Sequence, residues 1–177
     1  MSDIVVRVVE ALPEPDISAL QREVFADFER SEALAQILAS ESAARAEELN
    51  TAPLSMFRVA AFRGEVLVGW TQGYREGKGK FYMLNSGVAV AERRQGVYTR
   101  LVEAVLAHAA AQGYSVVASH HVPANVPVII AKLRLGFLIT GFEYSEVYGP
   151  VVRLTYVVGE KRRDLYRTRT VPLRPAE

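Results

Sequence analysis

The sequence predicts a mixed α/β domain: a mostly antiparallel sheet flanked by helices, in the order β-αα-βββ-α-β-α-ββ. Three observations predict it. Strand-length runs of β-branched and aromatic residues are interspersed with segments whose apolar residues recur at steps of three and four. Strands and helices alternate in the second half of the chain but not in the first, which argues against a doubly wound parallel sheet. One β-branched strand runs into a charged loop whose glycine, Gly96, stands just before a helix.

Taken in order, Ile4–Val9 (IVVRVV) is a first strand, broken by Leu12-Pro13-Glu14-Pro15. Asp16 is a candidate cap for a helix through Glu29, with Ile17, Leu20, Val24, Phe25 and Phe28 on one face. Ser31 opens a second, alanine-rich helix to about Glu48, with Leu34, Ile37 and Leu38 as its stripe. Met56–Phe62 and Glu65–Tyr74 are strands around an Arg63-Gly64 turn, and Lys78–Lys80 turns into a longer strand, Phe81–Val90. Thr99–Gln112 is helical, with Leu101, Val105, Leu106 and Ala109 on one face and Gly113 at its C-terminal end. A strand Tyr114–His121, a short helix Pro127–Leu135 stopped by Gly136, and strands Phe137–Tyr144 and Val151–Val158 around Tyr148-Gly149-Pro150 complete the order. Trp70 reads as core, with a pocket wall as the other reading.

The 177 residues suit one domain, taken as 1–177, with a basic extension from 159 to 177. That extension reads as a solvated tail or edge strand; gripping an acidic substrate is the other reading. Half of the residues are hydrophobic and 23% are charged, a globular composition. There is no cysteine, so a thiolate metal site, a disulfide framework and a cysteine nucleophile are excluded. The net charge of +1 gives no field for nucleic acid or an anionic membrane. The N-terminus lacks the pattern of a signal peptide, and no apolar run approaches the roughly 20 residues of a membrane span. The expectation is a cytoplasmic protein that binds neither nucleic acid, membrane nor metal. A homodimer is left open.

The most informative stretch is Val88–Leu101. The first turn of a helix has unpaired N–H groups and the positive end of the helix dipole, which together bind phosphate. Gly96 lets the backbone approach such a ligand, and Arg93 and Arg94 add positive charge. Alone, this pattern fits a phosphate cradle or an ordinary helix start. It is not a Walker loop, because no G-K-[ST] follows.

Arg93-x-x-Gly96 resembles the signature [QR]-x-x-G-x-[GA] of the GCN5-related N-acetyltransferase (GNAT) family, with Tyr98 in place of the small sixth residue. Asn125 through Gly136-Phe137 is similar to the family's second pattern, an Asn that opens a short helix ending in Gly-Phe. The resemblance covers roughly Phe57 to Val158. It implies an acyl-CoA N-acyltransferase fold and acetyl-CoA as cosubstrate. Arg93, Arg94, Gln95, Gly96, Val97, Tyr98 and Thr99 would then surround the pyrophosphate, and Asn125 would hold the pantetheine. Asn125 also fits a plain helix cap. The family's strand before the cradle splays from its neighbour, and the CoA arm lies in the opening as an added strand. By position Ser86, Gly87 and Val88 would supply those backbone contacts, Gly87 suiting a bulge or a close backbone approach.

Acyl transfer to an amine needs a base, since an alkylamine such as lysine, pKa ~10.4, is mostly protonated at neutral pH. The strand Phe81–Val88 has no acidic residue. In one branch of the family an acid lies five residues before the Asn, and here that position is His120. A histidine, with pKa ~6.5, suits a base at neutral pH; a hydrogen-bonded histidine at a strand end is the alternative. In a regular strand His121 points to the other side. Lys132 stands where members often carry a Tyr as acid; its ammonium can donate, and Tyr98 and Tyr144 are further candidates. The resemblance thus implies acetyl transfer by direct attack on a primary amine of a small molecule or peptide. A non-catalytic acyl-CoA sensor on the same fold is the alternative.

Overall fold

A computed structural model of the protein describes residues 3–26, 55–145 and 148–170. The described strands are β1 (Ile4–Val9), β2 (Met56–Arg63), β3 (Val66–Arg75), β4 (Lys80–Val88), β5 (Val116–His121), β6 (Leu138–Ser145) and β7 (Gly149–Val157). They form one sheet in the order β1-β2-β3-β4-β5-β7-β6. Every neighbouring pair is antiparallel except β4 and β5. The described helices are α1 (Asp16–Phe25), α2 (Val97–Ala111), α3 (Val126–Arg134) and α4 (Glu160–Thr170). The expected fold class is the observed one. The expected helix over 31–48 lies outside the described residues.

Strand alternation divides β2 between two cores. Val59 and Ala61 face one side of the sheet, where Val97, Leu101, Val105 and Ala109 of α2 pack with Phe81, Val117 and Leu154. Ala60 and Phe62 face the other, against Ile17 and Leu20 of α1 and the fully buried Trp70. The apolar stripes of α1 and α2 therefore cover opposite faces of the sheet.

Several local expectations change. Asp16 is the first residue of α1 and no side chain caps that helix; Ile17 N–H and Ala19 N–H reach the carbonyls of Pro13 and Pro15 instead. The strand before the cradle stops at Val88, two residues early, because a short 3-10 turn takes Val90–Glu92. β5 begins at Val116 because Tyr114 N–H closes back onto Ala109 O around Gly113 at φ 70°. The start of the tail is helix α4 rather than an edge strand, and Arg163 donates to Tyr156 Oη and Val157 O.

Candidate active site

The site begins with a defect in the sheet. β4 pairs with β5 only at Lys80, Phe81 and Tyr82, and β5 continues as Ser119–His121 paired to β7. The register between β3 and β4 passes from Gly73↔Met83 to Gln72↔Asn85, so Leu84 is an extra residue in β4. A bulge bends the strand that carries it. Here it falls just past the last β5 pair, and β4 swings away to leave a V-shaped opening whose apex is Tyr82.

Gly87, expected at a bulge or a close backbone approach, is not the bulge, which falls at Leu84, but it does meet a close approach. Its place is filled from within the protein: a Cβ there would meet two ring carbons of Trp70 at 2.5 Å and Val24 at 2.8 Å. Trp70 Nε1 donates to Asn85 Oδ1 at 2.9 Å and its ring meets Phe25 edge to face. The V is thus backed on the α1 side by an indole that only a glycine accommodates.

A cavity of about 710 Å³ occupies the opening, within the usual range of roughly 300–1,000 Å³ for small-ligand sites. Tyr82 through Ser86 of β4 form one wall, His120 and His121 of β5 another, and Asn125, Val128 and Lys132 of α3 a third. Glu143, Tyr144 and Tyr148 close the side toward β6 and β7, with Phe25 of α1 opposite.

His120 is the most connected of these. Its Nε2 lies 3.0 Å from Glu143 Oε2 and its Nδ1 lies 3.1 Å from Tyr82 Oη. Arg153 donates to the other Glu143 oxygen at 3.3 Å. Burial pushes the Glu143 carboxyl up, but the hydrogen bonds and charges of Arg153 and His120 outweigh it and hold it below its usual range. An ionised carboxylate only accepts, so Nε2 carries a proton, and in the neutral ring Nδ1 keeps a lone pair facing the Tyr82 hydroxyl. Burial is also the main reason that the Tyr82 phenol is raised to about 12; it stays neutral and donates to Nδ1.

On the other face of β5 lies a second polar group. Lys132 is 1% exposed; its Nζ donates to Ser119 Oγ at 2.6 Å and lies 3.5 Å from Met83 Sδ, over the ring of Phe137. Among the described residues no carboxylate pairs with it. Burial pulls it down to about 7. Ser119 Oγ also meets His121 Nε2 at 3.0 Å, and burial, then Lys132 and His120, push His121 down to about 3. Strand alternation does put His121 and His120 on different faces, yet both line the cavity, because the opening passes through the sheet.

The turn before α2 lies beside this cavity and is not part of its lining. Gly96 precedes the helix at φ 75°, no side chain caps it, and a Cβ there would meet nothing within 4 Å. The first N–H groups of α2 are therefore open to an anion. Arg94 is also left-handed at φ 64°. Arg93 folds back onto Val88 O at 3.2 Å and fills one of that carbonyl's two acceptor positions. The Gln95 side chain is held by Arg63, Glu92 and Ala91 O, which leaves its backbone for any ligand role. The paired guanidinium of Arg63 holds Glu92 below its usual range, so that carboxylate is turned to Arg63. The Tyr98 hydroxyl is buried beside Ser86 without hydrogen-bond geometry, and burial raises it.

The structure therefore gathers Ser86, His120, Asn125, Lys132 and Tyr144 from the sequence-derived residues into one cavity, and Gly96, Val97 and Thr99 into the turn next to it. Asn125 is exposed and, although it occupies the cap position of α3, makes no side-chain cap. Sequence reasoning missed Tyr82, Glu143, Arg153 and Ser119. The one available signal was Glu143, a lone acid in the aromatic strand Phe142-Glu143-Tyr144. Among the described residues there is no cluster of three His, Cys, Asp or Glu suited to a metal, and no helix long and apolar enough to cross a membrane.

Comparison with known proteins bears on this arrangement. The model of the Acetyltransferase (GNAT) family matches residues 17–137. No curated protein matches the sequence. Among solved structures the chain is similar to the ribosomal-protein-S18-alanine N-acetyltransferase of Escherichia coli, at 14% identity over 89% of this chain and 97% of that one, TM-score 0.66. It is similar to Ard1 of Thermoplasma volcanium at 20% identity over 88% and 99%, TM-score 0.63. It is also similar to a Bacillus anthracis str. Ames protein described as a streptothricin acetyltransferase, solved with acetyl coenzyme A, at 16% identity over 63% and 66%, TM-score 0.54. At these identities the structural likeness carries the fold alone. The family match runs from α1 to Phe137 and takes in the parted strands, the Gly96 turn and α3, and by that match the chain belongs to the GNAT acetyltransferase family.

Proposed function

We propose that the protein is an N-acetyltransferase that moves an acetyl group from acetyl-CoA to a primary amine of a small molecule or peptide, by direct attack in a ternary complex. The observation that carries this reading is the opening between β4 and β5, with the uncapped start of α2 at its side and a hydrogen-bonded histidine inside it. The backbone N–H groups of Gly96–Thr99 hold the pyrophosphate. The freed edge of β4 around Ser86 and the amide of Asn125 hold the pantetheine.

His120 is the base. Glu143 fixes the ring through Nε2–H and stabilises the imidazolium that forms, while Nδ1 takes the proton that the amine sheds. On the far face of β5, Lys132 gives its proton to the departing sulfur. Its pull to about 7 leaves it able both to give that proton and to recover it near neutrality. The strand keeps the donor and the acceptor of protons apart, so neither quenches the other.

The test is thiol release from acetyl-CoA with a panel of amines, preceded by calorimetry with CoA. Binding at micromolar CoA and thiol release with at least one amine support the reading. A folded protein that gives no heat at high micromolar CoA overturns it, and one that binds CoA but releases thiol with no amine overturns the catalytic part.

A further inference from the structure

Both nitrogens of His120 are occupied. Nε2–H is committed to the Glu143 carboxylate at 3.0 Å, and the lone pair of Nδ1 is met by the Tyr82 hydroxyl at 3.1 Å. A base whose lone pair already holds a hydrogen bond takes up a proton through that bond or must first break it. Tyr82 lines the cavity at the apex of the V, where β4 makes its last pair with β5. Its oxygen has further acceptor capacity once it donates to Nδ1. We propose that Tyr82 is the catalytic residue that touches the acceptor amine, and that His120 acts through it: the amine proton passes to Tyr82 Oη as the Tyr82 proton passes to His120 Nδ1. The inference rests on the acetyl-transfer reading above and names the atom through which that reading removes its proton.

The step balances. The amine, having left its ammonium proton to solvent, bonds through nitrogen to the acetyl carbon and loses one further proton to Tyr82 Oη. Tyr82 in the same step loses its own proton to Nδ1, so it begins and ends as a neutral phenol. The carbon–sulfur bond breaks with its electron pair on sulfur, and sulfur takes a proton from Lys132. His120 is left as an imidazolium facing the Glu143 carboxylate, its charge already partnered. Solvent then removes one proton from His120 and returns one to Lys132.

Three features fit a relay better than a structural hydrogen bond. The phenol is held neutral by burial, so it conducts a proton without storing a charge. Glu143 is itself oriented by Arg153, so the chain Arg153–Glu143–His120–Tyr82 is pinned at the end remote from the cavity and free at the end that faces it. The groups come from β7, β6, β5 and β4. Arg153 pairs in register with His120 outside the cavity, while Glu143, His120 and Tyr82 line it, so the chain ends on a group that a ligand can reach.

The decisive experiment is a double-mutant cycle on turnover with Tyr82→Phe, His120→Ala and the pair, at saturating acetyl-CoA and amine. CoA affinity from calorimetry serves as the control for an intact fold. Residues that act as one unit lose activity together and not multiplicatively. Tyr82→Phe is expected to lower kcat by about 10²-fold, as general-base loss does, with the double variant no slower than His120→Ala. A proton inventory on the unaltered enzyme in mixtures of light and heavy water is expected to curve, since more than one proton is in flight. A wild-type kcat in Tyr82→Phe, losses that multiply in the pair, or a linear inventory would each overturn the relay while leaving acetyl transfer intact. Unaltered protein that releases no thiol with any amine would overturn the underlying reading, and the relay with it.

Discussion

The turn at Gly96 and the cavity at His120 lie side by side and are built by opposite means. The turn is local: seven consecutive residues, Arg93–Thr99, a left-handed glycine, and the N-terminus of the helix they begin. The cavity is nonlocal: Tyr82, His120, Glu143 and Lys132 come from three strands and a helix, and only a parted sheet makes them neighbours. The same contrast separates two glycines. Gly96 faces open space, while Gly87 is pressed against Trp70. The lesson is that the proposed anion-binding half of the site depends on backbone conformation, and the proposed chemical half on how β4 and β5 diverge.

The sharpest test of the contrast puts a carboxylate at the turn. Gly96→Asp should abolish CoA binding by calorimetry while circular dichroism stays native, because the charge repels phosphate and the side chain has room. Undiminished binding would place the cradle elsewhere. At the cavity, His120→Ala should leave CoA affinity almost unchanged and lower turnover by about 10²-fold. A loss of CoA affinity instead would make the histidine a structural post of its strand.

Smaller effects follow for stability. Gly87→Ala should cost about 1–3 kcal/mol in denaturant unfolding, as overpacking does, since its Cβ has no space beside Trp70 and Val24. Gly96→Ala should cost about 1–2 kcal/mol, from the left-handed backbone alone. A larger loss at Gly96 than at Gly87 would reverse the comparison.

Lys132 gives a pH signature. Its folded value of about 7 lies below its usual 10.5, so between those limits the unfolded chain binds more protons and stability rises with pH. Lys132→Met has no such slope. Its stability relative to the unaltered protein should be highest near pH 7 and decline as the pH rises toward 10.5. A difference independent of pH would mean that the lysine is charged in the folded protein.

What was legible in the sequence follows the same division. The order of elements, the buried face of α2 at Leu101 and Val105, and the glycine before it could be read, because each depends on residues close in sequence. The cap at Asp16 could not, since Pro13 and Pro15 carbonyls satisfy the first N–H groups. Nor could the role of Gly87, which is set by an indole seventeen positions earlier on the neighbouring strand. His120 was found by position, but its partners were not. Tyr82 and Glu143 are 38 and 23 residues away and meet it only after strand pairing. Searching the strand before the cradle for an acid missed Glu143 because the carboxylate stands on the opposite side of the opening.

If CoA lies across the parted strands with its phosphates at the Gly96 turn, amide chemical shifts on titration with CoA report it residue by residue. The largest changes are expected at the N–H groups of Gln95–Thr99, with further changes at Ser86 and Asn125. Binding that leaves those amides unmoved and shifts another surface would contradict it.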